Sequence, residues 1–170
     1  MTATLIKNGL VVADTWQLLP AETSVEQLAA LDGSDVIVAL PLWLSAADHI
    51  RQRNGQTGVW LNSHELPSAL GNDIHSIPLV ALNFPEFKDG RAFSSARELR
   101  QRFGYSGEIR AIGDVLRDQL FFMRRCGFDA YALRADQDID SALSAFADFH
   151  ETYQGAIDQP LPLFRRRSQG

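Results

Sequence analysis

The sequence predicts an α/β domain in which about five mostly parallel strands alternate with helices behind an N-terminal β-hairpin. Three observations predict it. Short continuous apolar runs bounded by polar residues, such as Asp35-Val-Ile-Val-Ala-Leu40, mark strands buried on both faces. Helical patterns lie between them, with apolar residues three and four apart, as at Ala96, Leu99 and Phe103. Glycines at 33, 55, 104 and 127 stop these patterns where a helix would end. Strand order is not fixed by such a pattern. An open doubly wound sheet and a curved, partial (β/α)-barrel both satisfy it, and in either one ligands gather at the carboxyl ends of the strands.

In chain order, Leu5 to Val12 reads as two strand segments around Asn8-Gly9, a hairpin signal. Ser24 caps a helix over Val25 to Leu31, and the first buried strand follows at Asp35 to Leu40. Ser45 with Asp48 three residues on starts the next helix, which runs to Asn54. Gly58 to Leu61 is the second strand, Pro67 to Leu70 a short helical turn, and Pro78 to Asn83 the third strand. A helix over Ser94 to Phe103, a strand at Glu108 to Ile112, a helix capped by Asp114 and ending at Cys126, and a strand at Asp129 to Leu133 complete the alternation. Ile139 to Tyr153 is a last helix. With 170 residues, 45% of them hydrophobic, the chain can bury one core. We therefore expect a single domain over residues 1–159, with 4–19 as an edge ribbon and 160–170 as a basic tail carrying Arg165, Arg166 and Arg167.

The net charge of −5 argues against nucleic acid as a partner. Its distribution is uneven: residues 86–134 carry ten basic and seven acidic side chains, whereas 1–85 carry three and eight. Fourteen of the sixteen basic residues are Arg, whose planar fork suits oxyanions and protein interfaces. A lone cysteine, Cys126, supplies neither a disulfide nor the thiolates of an iron–sulfur cluster, and we expect it to be a core residue. His49, His64, His75 and His150 show no spacing of a zinc site, and no nicotinamide fingerprint is present. A flavin held without a recognisable motif stays open. The longest apolar run, Val36 to Leu44, is too short for a bilayer, and the expected location is cytoplasmic.

The candidate site residues follow from the carboxyl-end rule. The loop from Phe84 to Phe93 exceeds the roughly two to six residues usual for such a connection. Arg91, Ser94 and Ser95 at the start of the next helix are candidates to hold an oxyanion; alternatively Ser94 is a plain N-cap and Arg91 pairs with Glu86 or Asp89. Asp114 and Arg117 form a second cluster, read either as an acid/base with an oxyanion-binding arginine or as a local ion pair with Asp118. Leu120-Phe-Phe-Met123 covers every face of a helix, and Arg117, Phe121 and Arg124 share one face, which is the composition of an interface with a partner or a second copy, or of a helix packed inside the domain.

The stretch Asn83-Phe-Pro-Glu-Phe-Lys-Asp-Gly-Arg-Ala-Phe-Ser-Ser-Ala-Arg-Glu-Leu-Arg100, with Gly107-Glu-Ile-Arg-Ala-Ile-Gly-Asp-Val-Leu-Arg-Asp-Gln119 and Arg125-Cys-Gly-Phe128, resembles the bacterial family DUF934 over about residues 79–133. Its members are commonly described as oxidoreductases of sulfite reduction, chiefly because they accompany assimilatory sulfite reductase. The resemblance implies a role in sulfur assimilation towards cysteine and transfers no catalytic residue. Because the chain carries no cluster ligands and one thiol, the expectation is an accessory protein acting with sulfite reductase. The alternatives are a small pathway enzyme binding an oxyanion or phosphorylated ligand, and a non-catalytic oligomerisation or regulatory module.

Overall fold

The computed structural model describes residues 3–146. Strands β1 (Thr4–Lys7) and β2 (Leu10–Ala13) form the N-terminal hairpin, in the register Thr4 opposite Ala13 to Lys7 opposite Leu10. Asn8 and Gly9 both take positive φ, 53° and 79°, as the two-residue turn between right-twisted strands requires. Six further strands follow, each parallel to the next: β3 (Gln17–Leu18), β4 (Val36–Ala39), β5 (Thr57–Leu61), β6 (Leu79–Phe84), β7 (Glu108–Gly113) and β8 (Ala130–Tyr131). The hairpin joins the far end by pairing β1 antiparallel to β8, so the sheet reads β2-β1-β8-β7-β6-β5-β4-β3.

This order decides between the two architectures left open by the sequence. A doubly wound sheet needs a point where the strand order reverses; β3 to β8 lie in sequence order without one. Every crossover therefore returns over the same face. On that face Val80, Leu82 and Phe84 of β6 meet Ala92, Ala96 and Leu99 of α4 (Arg91–Gln101) and Leu120, Met123 and Cys126 of α5 (Leu120–Cys126). Val36 and Val38 pack beneath Leu28 of α1 (Val25–Ala29), Leu42 of α2 (Leu40–Ser45) and Ile50 of α3 (Ala47–Gln52). The opposite face gathers Ile37, Leu79, Ala81 and Ile112 with Trp16, Trp60 and Ala132, all outside the helices.

That second face is protected by curvature. β2 and β3 are the two outermost strands, yet residues 14–16 are all that join them. Such a link spans at most about 14 Å, while the outer strands of a flat eight-stranded sheet would stand roughly 33 Å apart. The sheet is accordingly an open, curled half-barrel, and the link crosses its concave side. Trp16 of the link packs into the concave apolar cluster, and Asp14 accepts from Arg110 Nη1 of β7 at 3.0 Å. Arg110, with a side chain 4% exposed, also donates to Glu108 at 3.2 Å, and Lys7 of β1 lies 3.7 Å from Glu108. Further along, Trp60 Nε1 donates to the Leu19 carbonyl at 2.9 Å. No described helix is long and apolar enough to cross a membrane.

The helix boundaries differ from the sequence reading in instructive ways. Ser45 does not start a helix; α2 begins at Leu40 with Pro41 in its first turn, where a missing N–H costs nothing, and Ser45 is its last residue. Asp114 caps no helix either, because a 3-10 turn over Arg117–Gln119 intervenes before α5. The Ser24 expectation holds, with a reciprocal capping box between Ser24 and Gln27 on α1. The helix expected over 139–153 appears as α6 (Ile139–Ser144), capped by Asp138 and followed by a turn at 145–146; the expected span from 147 on, His150 and the basic tail lie outside the described residues.

Replacing Arg110 by Ala leaves Asp14 facing the interior without its cation and Glu108 with Lys7 alone. A loss of about 3–5 kcal/mol in unfolding free energy is expected, measured by urea denaturation. A loss below about 1 kcal/mol would mean that the link is held by packing alone.

Candidate functional site

The carboxyl ends of β5 to β8 form a rim whose side chains are tied to one another. Asn62 and Ser63 follow β5, Asn83 sits near the end of β6, Asp114 follows β7, and Arg134 and Asp136 follow β8. Gly113 permits the close fit of the last turns: it takes φ 89°, and a Cβ there would collide with the Asn83 carboxamide oxygen and the Phe84 carbonyl. The next residue then reaches the long loop. Asp114 Oδ2 accepts from the Phe87 N–H at 3.1 Å, and its Oδ1 accepts from Arg134 Nη1 at 3.0 Å. Gln119 donates to the Phe87 carbonyl at 2.7 Å, so both polar groups of the Phe87 backbone are held.

The loop therefore faces the same rim as the Gly113-Asp114 turn, with its charges already matched. Arg91 is the first residue of α4; its guanidinium makes a two-pronged contact with Asp89, at 3.0 Å and 2.7 Å, and donates to Ser63 at 2.9 Å. The Arg91 N–H donates to the same Asp89 carboxylate at 3.1 Å. Asp89 thus stands where an anion would sit at the start of this helix, and the hydrogen bonds from Arg91 hold its carboxyl well below the usual carboxylate range. Ser94 and Ser95 lie inside α4 and not at its cap, with Ser94 exposed and Ser95 buried. On the neighbouring turn, hydrogen bonds from Arg134 lower the Asp136 carboxyl to about 2, while Asp136 and Asp114 raise the Arg134 guanidinium.

Of Arg117, Phe121 and Arg124, the residues read as an interface, Arg117 turns towards α6 and Arg124 towards Phe146 just after it. Arg117 donates to the Ser141 carbonyl at 3.0 Å and the Ser144 hydroxyl at 3.2 Å. Arg124 lies 5.5 Å from the ring centres of both Phe121 and Phe146. Both arginines are used within the domain. Asp114 and Arg117 consequently serve different neighbours, the loop and α6 respectively.

The residue of α5 that does face outward is Phe122, 45% exposed, with Arg97 of α4 at 5.4 Å from its ring centre and Phe93 edge-on at 4.9 Å. Phe87, also 45% exposed, lies in the loop bonded to Gln119, with Lys88 beside its ring. Sequence reasoning missed these exposed rings. The signal was the run Leu120 to Met123, in which one large residue has to point away from the core, but the run alone does not say which. Among the described residues no group of three or more His, Cys, Asp or Glu side chains is placed to hold a metal ion, and Cys126 is buried in the core.

Residues 58–164 match a family model described as bacterial protein of unknown function, DUF934. A search of curated proteins finds no match.

Two outcomes check the rim. Asp114→Ala removes the charged acceptor of the Phe87 N–H, and amide exchange there is expected to accelerate by roughly tenfold or more. Pairing with Arg134 puts the Asp136 carboxyl below its unfolded value, so its contribution is full above the ordinary carboxylate range and is lost as pH falls from there through about 2. Carboxyl chemical shifts should therefore leave Asp136 ionised at pH 4; protonation there would contradict the pairing.

Proposed function

The chain belongs to the DUF934 family, and on that premise we propose that it is an accessory protein of assimilatory sulfite reduction that binds sulfite reductase and leaves the redox chemistry to it. The sulfur assignment comes from the resemblance set out for Asn83 to Phe128. The mode of action comes from two exposed rings each beside a cation, Phe122 with Arg97 and Phe87 with Lys88, which are the observation that carries this reading. Exposed aromatic rings backed by a cation have the make-up of binding hot spots, and their charge suits an acidic patch with an apolar centre. Phe122 is also held in place by Phe93 and through it by Phe84 of β6, so its ring is presented by the core without further ordering. The rim offers no comparable grip on sulfite, because Arg91 and Arg134 are committed to Asp89, Asp114 and Asp136.

Growth of a deletion strain and co-purification test the proposal. The strain is expected to grow poorly with sulfite as sulfur source and normally with cysteine. Phe122→Glu should weaken association with sulfite reductase about thirtyfold, the equivalent of about 2 kcal/mol at an interface hot spot, while thermal unfolding stays cooperative. Unimpaired growth on sulfite without the gene would sink it.

A further inference from the structure

Beside the ion-paired rim the curled sheet leaves its mouth open, and we propose that this mouth binds an uncharged planar heterocyclic lactam of about nucleobase size. The cleft has a volume of about 270 Å³ and is lined by Leu18, Leu19, Pro20, Trp60, Asn83 and Ile112. It lies over the concave face at the carboxyl ends of β5 to β7, the place where parallel β/α sheets collect their ligands. The floor is closed: Trp16, Ile37, Leu79 and Ala81 fill the concavity, with Arg110 and Glu108 buried beneath the link.

The lining defines the ligand. None of its six side chains is charged, and the neighbouring charges on the rim already have partners of opposite sign. A sulfite, phosphate or carboxylate entering here would lose its hydration without gaining a cation, which is strongly unfavourable. Asn83 supplies the polar contact. One amide hydrogen goes to Asn62 Oδ1 at 3.1 Å, and among the described residues the carboxamide oxygen accepts no hydrogen bond. Its remaining N–H and C=O form an adjacent donor and acceptor, the complement of the N–H and C=O of a lactam. Trp60 has its indole N–H committed to Leu19, so what it offers the cleft is ring surface, suited to a flat partner. The volume lies just under the roughly 300–1,000 Å³ of sites for drug-sized ligands, enough for one ring or two fused rings and too small for an attached sugar and phosphate.

The test uses the full-length ¹⁵N-labelled protein and follows the Trp60 indole N–H and the Asn83 carboxamide resonances. Uracil and hypoxanthine are the neutral lactam probes; inorganic phosphate and sulfite are the anionic ones. At least one lactam is expected to shift both resonances saturably at millimolar concentration, and Asn83→Leu to weaken that binding at least tenfold. Should Asn83→Leu fail to fold, Asn83→Asp replaces the donor by a charged acceptor in the same shape and should give the same loss. Absence of any shift with both lactams, equal or stronger shifts with phosphate or sulfite, or binding indifferent to Asn83 would each overturn the proposal. Phe122→Glu, on the outer surface, should leave lactam binding unchanged, so the outcome is independent of whether sulfite reductase is the partner.

Discussion

Three residues joining the opposite edges of an eight-stranded sheet set the terms for everything else in this molecule. Residues 14–16 are too short to run around a flat sheet, so the sheet has to curl, and the curl gives the chain an interior on the side that carries no helices. The link also brings Asp14 and Trp16 into that interior, one to close the ion network of Arg110 and the other to fill apolar space. A buried arginine between two carboxylates is weak as a source of net stability, since desolvation offsets most of the attraction. Its value lies in direction: only the curled arrangement lets an edge residue reach the middle strand β7.

Curvature, in turn, explains why the rim and the mouth differ in character. Loops after β6, β7 and β8 converge, and their charged side chains meet one another at hydrogen-bonding distance: Asp89 with Arg91, Asp114 and Asp136 with Arg134. The mouth inside them is walled by apolar side chains and a single carboxamide. The outer surface divides similarly. Arg117 and Arg124 reach α6 and Phe146 after it, while Phe122 remains outside with Arg97, supported from beneath by Phe93 and Phe84 in edge-to-face contact. Both proposals therefore concern binding, one at each side of the same β6–α4–β7–α5 unit.

The alternation of elements was legible because it rests on local chemistry. Buried parallel strands leave uninterrupted apolar runs, Asn8-Gly9 leaves a hairpin, and Ser24 with Gln27 leaves a reciprocal cap. Features set by distant partners were not. β3 is two residues long and owes its existence to β4, so Gln17-Leu18 carries no strand signal of its own. Ser94 looked like a cap because serine suits the position, but the Asp89 carboxylate bonds the Arg91 N–H and starts the helix three residues earlier. Asp114 looked like a cap for the same reason, and its carboxylate instead serves Phe87 and Arg134, twenty or more residues away. Proximity of the loop and the Asp114 turn could be expected from the strand rule; the pairing of their charges could not, because sequence gives the charges and not their separations. Strand order was equally out of reach, since it depends on the short link between β2 and β3, which reads as an ordinary turn until the edges it joins are known.

The most direct measurement of the central claim is a set of nuclear Overhauser contacts from the Trp16 indole ring. If the link crosses the concave face, Trp16 should show contacts to methyl groups of Ile37, Leu79 or Ile112, residues on β4, β6 and β7. Contacts confined to hairpin residues such as Val12 would place Trp16 beside its own strand and contradict the curled sheet on which the interior, the rim and the mouth depend.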